Sequence, residues 1–134
     1  MPSVLVTGAN RGLGLEFPRR YLERGLRVIA VSRGGSEALD RLAEHKRLHR
    51  QTADLTDPAA LQALAEDLPA GSLELGEEAV AVALHPGWVR TDMGGPKADI
   101  DVETSVAGMM AVIEALGPED SGGFFAYDGS RLAY

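Results

Sequence analysis

Apolar residues fall in short blocks, and the polar stretches between them carry a helical period, so the chain alternates strand-like and helix-like segments. Val4 to Thr7 is an apolar run ending in glycine and suits a strand buried on both faces. Gly14 to Glu23 then reads as a helix, with Leu15 and Leu22 inside and Gly25 as terminator. Pro18 sits badly there. A proline past the first turn removes a backbone hydrogen bond at about 3 kcal/mol, so a kink or a late helix start is expected. Arg27 to Ser32 is the second buried strand, Ser36 caps a helix running to about Lys46, and His49 to Asp54 is a weaker third strand.

Thr56 or Asp57 caps the next helix, with Pro58 at its first position and Leu61, Leu64 and Leu68 at helical spacing, closed by Pro69-Ala70-Gly71. After a polar connector over residues 72–78, Ala79 to Leu84 reads as a fourth buried strand. Val102, Val106, Met109, Ile113 and Leu116 predict a further helix, with Asp99 or Asp101 as cap and Gly117-Pro118 as stop. Gly123 to Tyr127 is the last strand. Strands alternating with helices point to an α/β fold with a parallel sheet, in which a ligand sits beyond the carboxyl ends of the strands. A parallel sheet leaves no empty slot, because the facing backbone groups would be unpaired, so Ala79 to Leu84 is expected beside Val4 to Thr7 in the order 3-2-1-4-5.

At 134 residues and 45% hydrophobic content, one domain over 1–134 is expected. No window approaches about eighteen consecutive apolar residues, and the chain enters its first strand without a basic and apolar leader, so a cytoplasmic location with no membrane partner is expected. A net charge of −7 argues against nucleic-acid binding, which needs a basic surface. Basic residues nevertheless crowd Arg11 to Arg50, which suggests a local anionic ligand. The sequence holds no cysteine, and its three histidines lack metal-ligand spacing, so no metal is expected.

Thr7-Gly8-x-x-x-Gly12-x-Gly14 follows a strand and opens a helix, the context in which glycines bring backbone amides against a pyrophosphate. A glycine-rich turn with no ligand is the competing reading, and agreement of spacing, strand and helix weighs against it. TGANRGLG resembles the cofactor loop of the short-chain dehydrogenases/reductases, with Gly8, Asn10, Arg11, Gly12, Leu13 and Gly14 at its binding positions. Ala53-Asp54-Leu55 resembles the family's adenine-contacting segment, with Asp54 accepting from the exocyclic amine. His85-Pro86-Gly87-Trp88-Val89-Arg90-Thr91 resembles its Pro-Gly motif, in which the Val89 backbone and the Thr91 hydroxyl hold the nicotinamide carboxamide. The resemblance implies a Rossmann-type sheet of about five strands. Cofactor choice follows from charge: the second strand ends Ser32-Arg33 with no acid to bond ribose hydroxyls, and Arg33 and Arg11 suit a 2′-phosphate, which selects NADP(H) over NAD. Two solvated surface arginines are the alternative.

The family's Ser, Tyr, Lys and Asn have no counterparts. Lys46 and Lys97 are the lysines, Gly25 and Arg131 stand four places after Tyr21 and Tyr127, and Asn10 lies inside the glycine loop. The resemblance breaks near residues 72–78, as an internal deletion of the catalytic region would produce. His85 is a candidate proton donor, set against a histidine merely bonded beside Pro86. The expectation is an NADP(H)-binding oxidoreductase of carbonyls or alcohols whose hydride transfer is weak or lost. The alternative is a non-catalytic NADP-binding or partner-binding module. Surface uncovered by the missing helices predicts a homodimer or larger assembly.

Overall fold

The computed structural model describes residues 3–68 and 79–134, which fall in two compact units, Met1–Glu74 and Leu75–Tyr134. The predicted Pro69-Ala70-Gly71 stop, the polar connector and the junction over 72–78 lie outside the described residues.

In the first unit, β1 (Ser3–Thr7), β2 (Arg27–Ser32) and β3 (Leu48–Thr52) form a parallel sheet in which β1 and β3 flank β2. The centre strand is the most apolar, and Val28 through Val31 are fully buried. Alternation across its pleat separates two layers. Ala30 packs with Val6, Leu48, Leu15 and Leu39, which places α1 (Gly12–Glu23) and α2 (Glu37–Leu42) on one face. Ile29 and Val31 pack with Ala53, Leu5, Ala60 and Leu64, which places α3 (Pro58–Asp67) on the other.

The helix boundaries follow their caps. Ser36 Oγ accepts from the Leu39 amide at 3.1 Å, and Asp57 Oδ1 accepts from the Ala59 amide at 3.0 Å ahead of Pro58. Since α3 has no buried residue, its cap matters more than packing, and Asp57→Ala is expected to lower stability by about 1 kcal/mol in urea unfolding. The second helix ends at Leu42 rather than near Lys46, because the His45 amide bonds the Leu42 carbonyl and the Leu48 amide the His45 carbonyl, turning the chain into β3. The expected late start of α1 does not occur. The helix begins at Gly12 and runs through Pro18, whose fully buried ring offsets the hydrogen bond lost in the helix interior. Buried Glu16 anchors the same helix. Burial pushes its carboxyl up, but the guanidiniums of Arg19 and Arg20 outweigh this and hold it below the usual carboxylate range.

In the second unit, β4 (Ala83–His85) pairs in parallel with β5 (Phe124–Ala126), joined by α4 (Val102–Ala115). Asp101 caps α4, accepting from the Thr104 amide at 2.7 Å. Val106, Met109, Met110 and Phe125 are buried with Val89 and Ala98. A Cβ on Gly108 would stand 2.2 Å from the Tyr127 carbonyl oxygen, so the glycine lets the helix approach the chain leaving β5.

Two expectations about strands are corrected. The fourth strand spans 83–85 rather than 79–84, because the chain before it is held by the turn preceding β5: the Ala81 amide bonds Ser121 Oγ at 3.3 Å and the Ala81 carbonyl accepts from Gly122 at 2.8 Å. The last strand is correspondingly short, Phe124–Ala126. Among the described residues the strands of the first unit form the sheet β1-β2-β3 and those of the second unit the sheet β4-β5.

Candidate functional site

Each glycine of the first loop has a mechanical task. Gly8 and Gly12 adopt φ of 65° and 55°, a region that L side chains rarely occupy. Gly14 is needed for closeness instead, since a Cβ there would lie 2.1 Å from the Gly8 carbonyl oxygen. The loop is thereby folded tightly over the start of α1. Arg11 is the N-cap of that helix and makes no side-chain cap, in contrast to Ser36, Asp57 and Asp101 on the other helices. The first turn of α1 thus has no side-chain acceptor from its N-cap at the positive end of the helix.

Beyond the carboxyl ends of the three strands lies a cleft of about 530 Å³. Gly8, Asn10 and Arg11 reach it from the end of β1, Arg33 from the end of β2, and Asp54 and Leu55 from the end of β3. Six of the residues singled out in the sequence thus meet in one place. Gly12, Leu13 and Gly14 belong to the helix start rather than to the cleft wall. Asp54 Oδ1 accepts from the Thr56 hydroxyl at 2.7 Å and from the Thr56 amide at 3.0 Å, leaving Oδ2 for a further donor. The hydroxyl bond first, then the amide bond, and least the Arg33 guanidinium hold this carboxyl below the ordinary aspartate range. Thr56, a candidate cap in the sequence, instead donates to Asp54 while Asp57 caps the helix, and Asp-x-Thr is the sequence signature of such a turn.

The remaining candidates lie in the second unit. Val89 is buried and forms a parallel bridge with Ile100, while Trp88 and Arg90 supply the bridging bonds to the Ile100 amide and carbonyl. Thr91 Oγ1 accepts from the Gly94 amide at 3.1 Å, and its own proton remains to donate. Trp88 is 53% exposed, yet its indole N–H donates to the Gly94 carbonyl at 2.8 Å, so the ring is fixed while one face meets solvent. Gly87 has φ of 80°, and a Cβ there would meet Ile100 and Tyr127 side-chain atoms at 2.8 and 2.9 Å. His85 does have an orienting partner, which the sequence did not reveal: its Nδ1 accepts from the Gly87 amide at 2.9 Å. In that geometry the ring presents Nε2–H outward as a donor.

Residues 2–75 match the family model described as short chain dehydrogenase. The chain belongs to the short-chain dehydrogenase family. It is 54% identical to C-signal of Myxococcus xanthus over 55 residues, covering 41% of this chain and 33% of that protein. It is 26% identical to sulfoacetaldehyde reductase 2 of Chromohalobacter salexigens over 125 residues, covering 86% of this chain and 47% of that protein. The chain thus spans between a third and a half of the length of these curated relatives. The NADPH-bound carbonyl reductase from chicken fatty liver has the same fold, with a TM-score of 0.84 at 22% identity over 100% of this chain and 99% of that one. For a short-chain dehydrogenase, the tyrosines here are unusual. Tyr21 is buried and stacks on Phe17, with ring centroids 6.2 Å apart. Arg131, four places after Tyr127, is stacked over Phe125 at 5.3 Å, so the pair does not share a helix face.

Proposed function

We propose that the chain binds NADP(H), and that carbonyl reduction or alcohol oxidation by it is slow or absent. The observation that carries the binding half is the cleft in which Arg11 and Arg33 meet Asp54 beside an uncapped helix start. Two guanidiniums, from the glycine loop and from the end of β2, suit a 2′-phosphate, and β2 ends in Ser32-Arg33 rather than in an acid that would favour ribose hydroxyls. The first-turn amides of α1 would bond the pyrophosphate, Asp54 Oδ2 the adenine amine, and the Val89 backbone with the Thr91 hydroxyl the carboxamide, as the family resemblance implies. Bound NADPH supplies a hydride. The NADPH of the chicken enzyme and the NADP of a carbonyl reductase from Pseudomonas aeruginosa agree with this cofactor choice.

The chemical half follows from what the sequence lacks. Negative charge grows on a carbonyl oxygen during reduction, and a positioned proton donor contributes a factor of about 10² to 10⁴. Gly25 and Arg131, not lysines, stand four residues after Tyr21 and Tyr127. His85 can offer a hydrogen bond through Nε2–H, its Nδ1 being engaged by the Gly87 amide. A non-catalytic NADP-binding or partner-binding module is the second reading, favoured by the same lack. In either reading residues 1–134 are one shortened dinucleotide-binding domain with an internal deletion, assembled as a homodimer or larger, which light scattering tests.

Trp88 is the sequence's one tryptophan and lies beside Val89 and Thr91, so its emission is a local probe. NADPH is expected to quench it, because NADPH absorbs where indole emits, and 2′,5′-ADP is expected to leave it unchanged. Carbonyl-dependent NADPH oxidation by the same sample separates the two readings: slow turnover supports a weakened reductase, and none supports the module. Rapid turnover would overturn both, and no NADPH binding would overturn the shared premise.

A further inference from the structure

We infer that Ser105 is a positioning residue for the nicotinamide end of the cofactor, acting through the Pro86 carbonyl. The inference rests on the NADP(H)-binding reading. Ser105 lies in the first turn of α4 on its inward face, among Val106, Met109 and Met110, and is fully buried. A serine in a helix commonly bonds back to a carbonyl of its own preceding turn. Here the hydroxyl instead donates out of the helix to the Pro86 carbonyl at 2.6 Å. A buried hydroxyl is costly unless bonded, and this bond satisfies it while tying the helix to the turn after β4.

That turn leads directly to Val89 and Thr91, and its neighbours are held by other means. The His85 carbonyl accepts from the Tyr127 amide at 2.9 Å, and the Gly87 amide donates to His85 Nδ1 at 2.9 Å. Ile100 and Tyr127 close on Gly87. The peptide plane between Pro86 and Gly87 is held at two points, by the Gly87 amide on His85 Nδ1 and by the Pro86 carbonyl. Ser105 grips the carbonyl side, where the bond comes from the second unit's helix rather than from the turn itself. Rotation of the plane would redirect the backbone carrying Val89, whereas the residues lining the cleft all belong to the first unit.

The test compares Ser105→Ala and Ser105→Cys with the unaltered chain, measuring affinity for NADPH and for 2′,5′-ADP. Loss of one hydrogen bond predicts NADPH binding weakened about fivefold in Ser105→Ala, with 2′,5′-ADP binding unchanged within about twofold. Ser105→Cys keeps the side chain's bulk with a poorer donor, and an intermediate loss is expected; it decides the matter if the alanine variant does not fold. Equal weakening of both ligands in the cysteine variant would assign Ser105 to general stability and overturn the inference, as would unchanged NADPH affinity in both variants. Failure of the unaltered chain to bind either ligand would instead refute the reading beneath it.

Discussion

Gly14→Ala is expected to abolish NADPH binding and to destabilise the first unit by about 1 to 3 kcal/mol or more. The added Cβ would lie 2.1 Å from the Gly8 carbonyl oxygen and 2.8 Å from its carbon, and neither is a flexible side-chain tip that can swing away. Relief requires α1 to move off the loop, and Gly8 at φ of 65° has little freedom to follow. Moving the helix also moves the amides of Gly12 to Gly14, so binding is lost along with packing. Gly34→Ala is the matched control. A Cβ there meets nothing within 4 Å, and a change in stability within about 0.5 kcal/mol is expected, measured by urea unfolding beside an NADPH titration. Equal effects of the two substitutions would mean that close approach at Gly14 is not what holds the loop.

Arg33→Ala is expected to weaken NADPH by about 1.5 to 3 kcal/mol, roughly ten- to hundredfold, while NADH affinity changes little. Arg33 is exposed at the end of β2, on the same cleft as Arg11, and its other charged neighbour there is Asp54. Removing a guanidinium that meets only the 2′-phosphate acts only on the cofactor that carries one. Calorimetric titration of both dinucleotides reads this directly. Equal losses for NADPH and NADH would assign the arginine to the electrostatics of the loop as a whole, since Asp54 would then lose its cationic neighbour with either ligand.

The parts of the site that were legible in the sequence are those written in contiguous residues. Gly8-x-x-x-Gly12-x-Gly14 announced its turn, Ser36 and Asp57-Pro58 announced their helices, and Val28 to Val31 announced a strand buried on both faces. Each rests on local backbone chemistry. What escaped depends on partners distant in the chain. Ala79 to Val82 has the apolar content of a strand, but strand length is set by the partner available, and the chain there bonds the turn at Ser121 and Gly122. Pro18 was read by its lost hydrogen bond alone, whereas its buried ring is what the packing uses. Ser105 and Gly108 sit within an apolar helical stripe, where periodicity cannot tell a serine that bonds Pro86 or a glycine that admits Tyr127 from filler. Within the first unit the parallel order β1-β2-β3 is the part of the expected sheet that local pairing rules make legible.

The central claim, that the glycine loop still binds the dinucleotide, is tested most directly by backbone amide NMR of the chain titrated with NADPH. Pyrophosphate on the helix start predicts large shifts at Gly12, Leu13 and Gly14, with Arg33, Asp54 and Leu55 moving in step and a single affinity describing all of them. Saturating NADPH that leaves the Gly12 to Gly14 amides unmoved, or that shifts only residues remote from this loop and cleft, would contradict it.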